Sequence, residues 1–192
     1  MKMSLMQKPR NKIAVLAMAL LGVFLSSCAN NLPVKRVPEV DLSRFMGAWY
    51  VIACIPTFIE KDAYNAVESY QLNKDASIAT TFTYNKGSLD GPLKIYKPKG
   101  FVVENTGNAL WGMQFIWPIR SEFVISYLDA DYSTTVIART ARDYVWIMSR
   151  TPDITDEKYA ELKEYVRLLG YDDSKLRKIP HQVTHSSEHQ EN

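Results

Sequence analysis

The sequence is poor in the residue types on which many enzymes and metal sites depend. Its 192 residues include only 2 cysteines and 3 histidines, and the histidines stand together near the C-terminus, at His181, His185 and His189. A domain that ends before them offers no histidine to a catalytic triad, a zinc ion or a haem iron. Their spacing of four would align them on a helix face, but a disordered polar tail over 181–192 is the favoured interpretation.

The sequence also has almost no excess of one sign of charge over the other. The chain has 23 Lys and Arg against 21 Asp and Glu. Residues 1–27 hold four basic side chains and no acidic one, so a chain that begins at residue 28 has 19 basic and 21 acidic residues, a net charge of −2. Nucleic-acid binding needs a concentrated excess of Lys and Arg. The composition therefore argues against a nucleic-acid partner.

The N-terminal apolar run is too short to span a bilayer, which takes about 20 residues. The run Ile13–Leu25 follows basic residues, which is the layout of an export signal. Small residues then lead into Cys28, and this segment resembles a bacterial lipobox. The resemblance implies removal of residues 1–27 and acylation of Cys28, which would anchor the protein in a membrane. A signal cut elsewhere, with the cysteine incidental, is the alternative.

The residues after the cysteine bear on its destination. Ala29 stands where an aspartate would signal retention in the inner membrane, so the resemblance implies the outer membrane, with the domain facing the periplasm. Residues 28–41, which contain Pro33 and Pro38, are interpreted as a lipidated tether.

Acylation would leave Cys54 as the only free thiol, so the domain has no intrachain disulfide. Strand alternation from Trp49 through Val51 and Ala53 predicts that Cys54 faces away from Trp49. The favoured interpretation is an inert thiol. No glycine-rich phosphate loop, zinc-type cysteine pairing or paired-carboxylate motif is evident. The sequence thus predicts no enzyme, no metal site and no cofactor.

Residues 42–180 are predicted to form one domain that is mostly β-sheet. Up to about residue 150, short stretches rich in β-branched and aromatic residues alternate with turn-forming residues, which suits about eight strands of an antiparallel barrel or sandwich. The period then changes to that of a helix. Thr155 is a suitable N-cap, Gly170 a suitable stop, and the apolar stripe between them would pack against the sheet (Tyr159, Leu162, Val166 and Leu169).

Two strands carry rows of large apolar side chains on one face. By period-two alternation one row is Trp111, Met113, Phe115 and Trp117, and the other is Tyr144, Trp146 and Met148. A packed core explains such rows. An eight-stranded barrel, however, can also hold one small ligand, and Met and Trp suit the lining of an adaptable apolar cavity. The residues alone leave both interpretations open.

Three segments together resemble the signatures of the lipocalin family: Gly47-Ala-Trp49-Tyr50, Asp131-Tyr132 and Trp146-Ile-Met-Ser-Arg150-Thr-Pro152. The resemblance covers residues 41–180. It implies an eight-stranded antiparallel up-and-down barrel with one C-terminal α-helix packed outside. It also implies that Trp49 closes the narrow end, with the Arg150 guanidinium across its ring and Gly47 allowing close approach. These signature residues are then structural.

With the lipobox in front, the chain is similar to bacterial lipocalins, outer-membrane lipoproteins that resemble apolipoprotein D. The resemblance implies binding of fatty acids and lysophospholipids for membrane maintenance under stress. It assigns Trp111, Met113, Phe115, Trp117, Trp146 and Met148 to the ligand pocket. Val51 and Cys54 occupy places where relatives often have charged residues, which leaves the head-group contacts undefined.

Two other functions remain open from the sequence. The barrel could carry another apolar molecule, such as a tetrapyrrole or isoprenoid, or it could be filled by its own side chains and serve a structural role in the envelope. A homodimer is a further possibility. The resemblance turns Val124 and Ser126 inward, and larger neighbours such as Phe123 and Ile125 would then form an outer apolar patch.

Overall fold

The computed structural model describes residues 32–57 and 61–182. The predicted signal over 1–27, the acylation site Cys28 and the tail beyond residue 182 lie outside the described residues. The strands are β1 (Gly47–Ile55), β2 (Ala63–Leu72), β3 (Ser77–Lys86), β4 (Leu93–Tyr96), β5 (Lys99–Val102), β6 (Leu110–Ile116), β7 (Ile119–Leu128), β8 (Thr134–Ala138), β9 (Val145–Ser149) and β10 (Arg177–Lys178). The helices are α1 (Leu42–Phe45), α2 (Asp156–Leu168) and a 3-10 turn over Asp173–Lys175.

The strands form one antiparallel sheet that closes on itself. Its order is β10-β1-β2-β3-β5-β6-β7-β8-β9, and β1 pairs with β9 to close the circuit. Because β4 and β5 both pair with β3, they share one position in the barrel. β2 pairs with the first half of β1, and β10 pairs with the second half. The circuit therefore has eight positions. The predicted up-and-down barrel is confirmed.

The predicted helix is α2, and its ends follow from its sequence. The Thr155 hydroxyl accepts a hydrogen bond from the Lys158 backbone nitrogen at 3.2 Å, which satisfies one free donor of the first turn. Leu162 and Val166 are fully buried against the outside of the barrel. Gly170, at φ +90°, follows the last turn. The N-cap, stripe and stop are confirmed.

β7 resolves the alternation that the sequence left ambiguous. Phe123 and Ile125 belong to the core inside the barrel, whereas Val124 belongs to the core between the barrel and α2. The register shifts after Ile125, so Tyr127 also turns toward α2 and contacts Tyr165, with ring centroids 5.4 Å apart. The expectation that the smaller residues face inward is wrong. Since α2 covers the outer face, the predicted homodimer loses the surface on which it was based.

β1 contains a bulge that reverses the expected position of Cys54. The pairing with β9 shifts register between Val51 and Ala53, so Ile52 and Ala53 both belong to the outer core. Trp49, Val51 and Cys54 belong to the inner core. The prediction that Cys54 faces away from Trp49 is wrong, because a bulge adds one residue to the alternation.

The segment before α1 lies against the barrel. Val40 is buried, and its backbone nitrogen donates to the Gly107 carbonyl at 2.8 Å. A Cβ atom on Gly107, which has φ +60°, would lie 1.9 Å from the Pro38 carbonyl oxygen, so only glycine fits there. The last part of the tether predicted over 28–41 is therefore part of the folded domain.

No helix in the described ranges has both the length and the apolar character needed to cross a bilayer.

Candidate functional site

One end of the barrel is sealed by α1, and we call it the closed end. The Asp41 carboxylate caps α1 by accepting from the backbone nitrogens of Ser43 at 2.9 Å and Arg44 at 3.3 Å. The Ser43 hydroxyl and then the Arg44 backbone hold the pKa of Asp41 below its usual value. The cap directs Phe45 into the barrel, where it is fully buried. A short helix thus forms the floor of the interior.

The outer two signature segments meet at this end. The Arg150 guanidinium carbon lies 3.8 Å from the centre of the Trp49 ring, and Trp49 itself donates to the Phe45 carbonyl at 2.9 Å. Gly47 lies beside the guanidinium at φ +93°, a backbone conformation that favours glycine, and an added Cβ would lie at an ordinary contact distance of 3.5 Å from Nη1. These contacts make Trp49 and Arg150 part of the seal.

The middle signature segment supports the same end from the turn between β7 and β8. The Tyr132 hydroxyl accepts from the Asp41 backbone nitrogen at 2.9 Å, and the Arg44 guanidinium lies 4.0 Å from the Tyr132 ring centre. The Asp131 carboxylate accepts from the Ser133 nitrogen at 3.0 Å, which fixes the turn. Asp131 and Tyr132 therefore position α1.

Aromatic rings pack against one another in the closed half of the interior. Trp111 stacks on Phe123 at 5.0 Å between centroids and meets Phe45 and Tyr70 edge-on at 5.4 and 5.5 Å. Its indole nitrogen donates to the Asn108 carbonyl at 2.7 Å. Trp111, predicted to line the pocket, is thus fully buried in a ring layer at the bottom of the barrel.

Three other predicted lining residues also belong to the inner core: Met113, Trp146 and Met148. Met113 lies beside Gly100, whose added Cβ would lie 3.1 Å from the methionine sulfur. Trp146 is nearest the opposite end, which we call the open end, and its ring contacts Tyr144 at 4.8 Å. β6 and β9 therefore bring apolar side chains together inside the barrel.

Phe115 and Trp117, at the open end of the β6 row, do not belong to the buried inner core. The pairing of β6 with β7 shifts register between Met113 and Ile116, and β6 ends at Ile116. Trp117 falls in the turn at the open end, with a cis peptide to Pro118. Trp117 is 82% exposed and Phe115 45% exposed. The register shift interrupts the alternation from which a single face over Trp111–Trp117 was predicted, and Trp117 lies beyond the end of the strand.

Sequence reasoning missed the inner faces of β2 and β3. Glu68 and Tyr70 on β2 pair in register with Phe82 and Thr80 on β3, and all four are buried. Period-two rows in Ala66-Val-Glu68-Ser-Tyr70 and Ile78-Ala-Thr80-Thr-Phe82 contain this signal. The interior thus combines an apolar side with a side that contains a carboxylate and two hydroxyls.

A groove of about 330 Å³ lies outside the barrel beside the chain that follows β10. His181 borders it, and its Nε2 donates to the Val51 carbonyl at 2.9 Å. Burial lowers the pKa of His181, against the opposing effects of that hydrogen bond and of Asp153. The prediction that the tail begins at residue 181, outside the folded domain, is wrong for His181. His185 and His189 lie outside the described residues.

The geometry defines a small β-barrel, sealed at one end, with a mixed apolar and polar interior, which is the construction of a ligand carrier. Comparison with known proteins gives its family. A lipocalin-like domain model matches residues 40–181. The chain belongs to the lipocalin family, whose members bind small hydrophobic ligands. Bacterial outer membrane lipoproteins are among its relatives, which supports a bacterial lipocalin.

Those relatives include temperature-induced lipocalin-1 of Arabidopsis thaliana, 31% identical over 79% of this chain and 84% of the relative. The outer membrane lipoprotein Blc of Escherichia coli K12 is 27% identical over 85% of this chain and 94% of its own length. Mouse apolipoprotein D is 25% identical over 82% of this chain and 88% of its own length. Among solved structures, insecticyanin from the tobacco hornworm matches with a TM-score of 0.62 at 15% identity, over 78% of this chain and 85% of that one, which shows the same fold.

Proposed function

We propose that the protein is a lipid-anchored outer-membrane lipocalin that binds single-chain lipids, such as fatty acids and lysophospholipids, inside its barrel. The observation that carries the proposal is the set of inner apolar side chains Met113, Trp146 and Met148, which lie above the ring layer of the closed end. A ligand enters such a barrel from one end only. Apolar side chains supply the affinity for an acyl chain.

The test is displacement of the neutral fluorophore N-phenyl-1-naphthylamine by palmitate and by lysophosphatidylcholine. In the parent both lipids displace the probe. Trp146→Ala weakens both by about tenfold, since removing the buried indole forfeits roughly 1.5 kcal/mol of apolar contact. Leu168→Ala, at an exposed position on α2, is the matched control and binds as the parent does. Equal affinity of Trp146→Ala and the parent would contradict the pocket assignment.

The anchor is proposed on the sequence layout before Cys28 and on the outer membrane lipoproteins among the relatives. We expect mass spectrometry of the N-terminal peptide to find three acyl chains on a chain beginning at Cys28. Cys28→Ala then yields no acylated peptide, and its protein leaves the outer-membrane fraction. Protease added to intact cells spares the protein, since the domain faces the periplasm. An unacylated N-terminus at another residue would overturn the anchor alone.

The proposed role is storage or transport of these lipids for membrane maintenance under stress. Native extraction followed by mass spectrometry of co-purifying molecules tests the ligand class directly. A single-chain lipid supports the role. A tetrapyrrole or isoprenoid would make the protein a carrier of another kind, and an empty barrel that takes up neither palmitate nor lysophosphatidylcholine would indicate a structural envelope protein.

A further inference from the structure

A polar cluster interrupts the apolar interior on the facing sides of β2 and β3. It consists of Glu68, Tyr70 and Thr80, which are 4%, 3% and 2% exposed. Tyr70 and Thr80 are direct partners across the strand pair, and Glu68 stands two residues before Tyr70 on the same face. The three polar ends therefore lie side by side, inside a barrel.

Two members of this cluster lack well-formed hydrogen bonds. Among the described residues, the Tyr70 hydroxyl and the Thr80 hydroxyl are buried with no partner in hydrogen-bond geometry. Leaving such a group unsatisfied costs about 1–3 kcal/mol, and the large majority of buried polar atoms are satisfied. A polar group of a ligand that reaches this depth would recover that free energy.

The charge at the cluster is negative. Burial, then the negative charge of Glu68 and the hydrogen-bonding interaction of its carboxylate with the Tyr70 hydroxyl, raise the pKa of Tyr70 well above its usual value. Arg150 exerts a weaker opposing effect on Tyr70, but its guanidinium donates to the backbone carbonyls of Ala48, Arg44 and Phe45. A carboxylate head group here would meet the negative charge of Glu68.

Aromatic rings continue the cluster toward the open end. Phe82 is the register partner of Glu68, and its ring centroid lies 5.5 Å from that of Tyr84 and 6.4 Å from that of Tyr96. Tyr84 and Tyr96 stack at 6.2 Å with nearly parallel planes. Ring faces attract cations, by about 0.5–2 kcal/mol in a desolvated site. The rings and the carboxylate therefore favour the same sign of ligand charge.

We propose that the Glu68, Tyr70 and Thr80 cluster binds the primary ammonium group of a single-chain lipid, whose hydrocarbon chain runs toward the open end past Trp146. A primary ammonium ion has three N–H donors and no acceptor. It can donate to the Glu68 carboxylate and to both hydroxyl oxygens. The inference rests on the proposed function, because it assigns a head group to a lipid held in the same barrel.

The test uses residues 28–192 with the substitution Cys28→Ala, which prevents acylation. Four ligands of equal chain length are compared: dodecylamine, dodecanol, dodecanoate and dodecyltrimethylammonium. Displacement of N-phenyl-1-naphthylamine by each ligand is measured below that ligand's critical micelle concentration. We expect dodecylamine to bind at least about tenfold more tightly than the other three, which corresponds to 1.4 kcal/mol. A fifth ligand, lysophosphatidylethanolamine, distinguishes an ammonium group on a phospholipid head from one on a free long-chain amine. Affinity equal to that of dodecylamine indicates a phospholipid head, and weaker binding indicates a free long-chain amine.

Two variants locate the effect. Glu68→Gln is expected to abolish the preference for dodecylamine over dodecanol, and Thr80→Val to reduce it severalfold, while the affinity for dodecanol changes less than about twofold. Thr81→Val, one residue along β3 and outside the buried set, is the matched control and keeps the preference. Circular dichroism confirms that each variant is folded.

The outcomes distinguish this inference from the proposed function. Dodecanoate or dodecyltrimethylammonium binding as tightly as dodecylamine overturns the inference and leaves the lipid carrier standing. An unchanged preference in Glu68→Gln and Thr80→Val does the same. Failure of every lipid, palmitate and lysophosphatidylcholine included, to displace the probe overturns both.

Discussion

The guanidinium of Arg150 lies over the ring of Trp49, with its carbon 3.8 Å from the ring centre, and donates to three backbone carbonyls. Two of these bonds measure 2.7 Å, to Ala48 and Arg44, and the third measures 3.0 Å, to Phe45. One side chain from the end of β9 thus joins the start of β1 to the last residues of α1. Since α1 seals the barrel, this arginine holds the closed end together.

Replacing Arg150 by lysine is predicted to lower the free energy of unfolding by about 3 kcal/mol. Lysine retains the charge, but it lacks the planar guanidinium group that donates hydrogen bonds to three carbonyls and covers an indole ring. Urea unfolding followed by circular dichroism measures the change. Arg167→Lys is the control, because the pair of Arg167 with Glu164 is exposed to solvent, and we expect a change of less than about 0.5 kcal/mol there. Equal effects of the two substitutions would show that the fork is unimportant.

Two tryptophans of the same predicted row are expected to behave oppositely on truncation. Trp111→Ala removes a fully buried ring from the closed-end layer and is predicted to cost about 3–5 kcal/mol of stability. Trp117→Ala acts at an exposed turn and is predicted to change stability by less than about 0.5 kcal/mol. Thermal and urea unfolding of both variants give the comparison. Similar losses at the two positions would place Trp117 in the core.

The N-cap of α2 offers a smaller, local test. Thr155→Ala removes the acceptor for the Lys158 nitrogen and is predicted to destabilise the fold by about 1 kcal/mol. Thr155→Ser retains a hydroxyl at the same position and is expected to match the parent. Urea midpoints measured side by side distinguish them. A serine variant as unstable as the alanine variant would mean that the methyl group, and not the cap, matters.

The elements of this fold could be predicted from the sequence because their signals are local. Thr155, Leu162 and Gly170 mark the start, the buried face and the end of α2 by residue type and spacing alone. The strands follow in the same way from alternation and turn residues. Closure of the sheet then follows from the number of strands and the need to bury one face.

The errors arose where the strands contain bulges. A shift between Val51 and Ala53 turned Cys54 inward, and a shift after Met113 removed Trp117 from the interior. Each bulge is set by pairing with a strand distant in sequence, so a row of residues read along one strand does not show it. The Glu68 cluster was missed for a related reason, because Tyr70 and Thr80 become neighbours only when β2 and β3 pair.

Stability is predicted to fall below neutral pH through His181. Burial lowers the pKa of His181 below its ordinary 6.5 in the folded state, so the unfolded chain binds the proton more readily. The stabilising contribution of the neutral ring is therefore complete above pH 6.5 and declines as the pH falls through the lower folded value. Urea unfolding across pH 7.5 to 5 measures this slope. His181→Gln is expected to lack it, and an identical slope in that variant would assign the titration to other groups.

The inward position of Cys54 predicts that a lipid in the barrel protects this thiol. In the Cys28→Ala chain Cys54 is the only cysteine, and it is 1% exposed within the inner core. Its reaction with 5,5′-dithiobis(2-nitrobenzoate) should be at least about 100-fold slower in the native than in the unfolded protein, because attack requires opening of the structure. Saturating dodecanol should slow the native reaction further, since a bound ligand stabilises the closed state.

The matched control moves the thiol by one residue. Ala53→Cys combined with Cys54→Ala places it on the outer side of the β1 bulge, beneath α2, where Ala53 is also fully buried. Local opening of α2 exposes this thiol without emptying the barrel, so dodecanol should protect it less than the thiol at position 54. Stronger protection at position 53 than at 54 would contradict the bulge. That result would indicate that Cys54 lies on the outer face of the barrel, as simple alternation predicts.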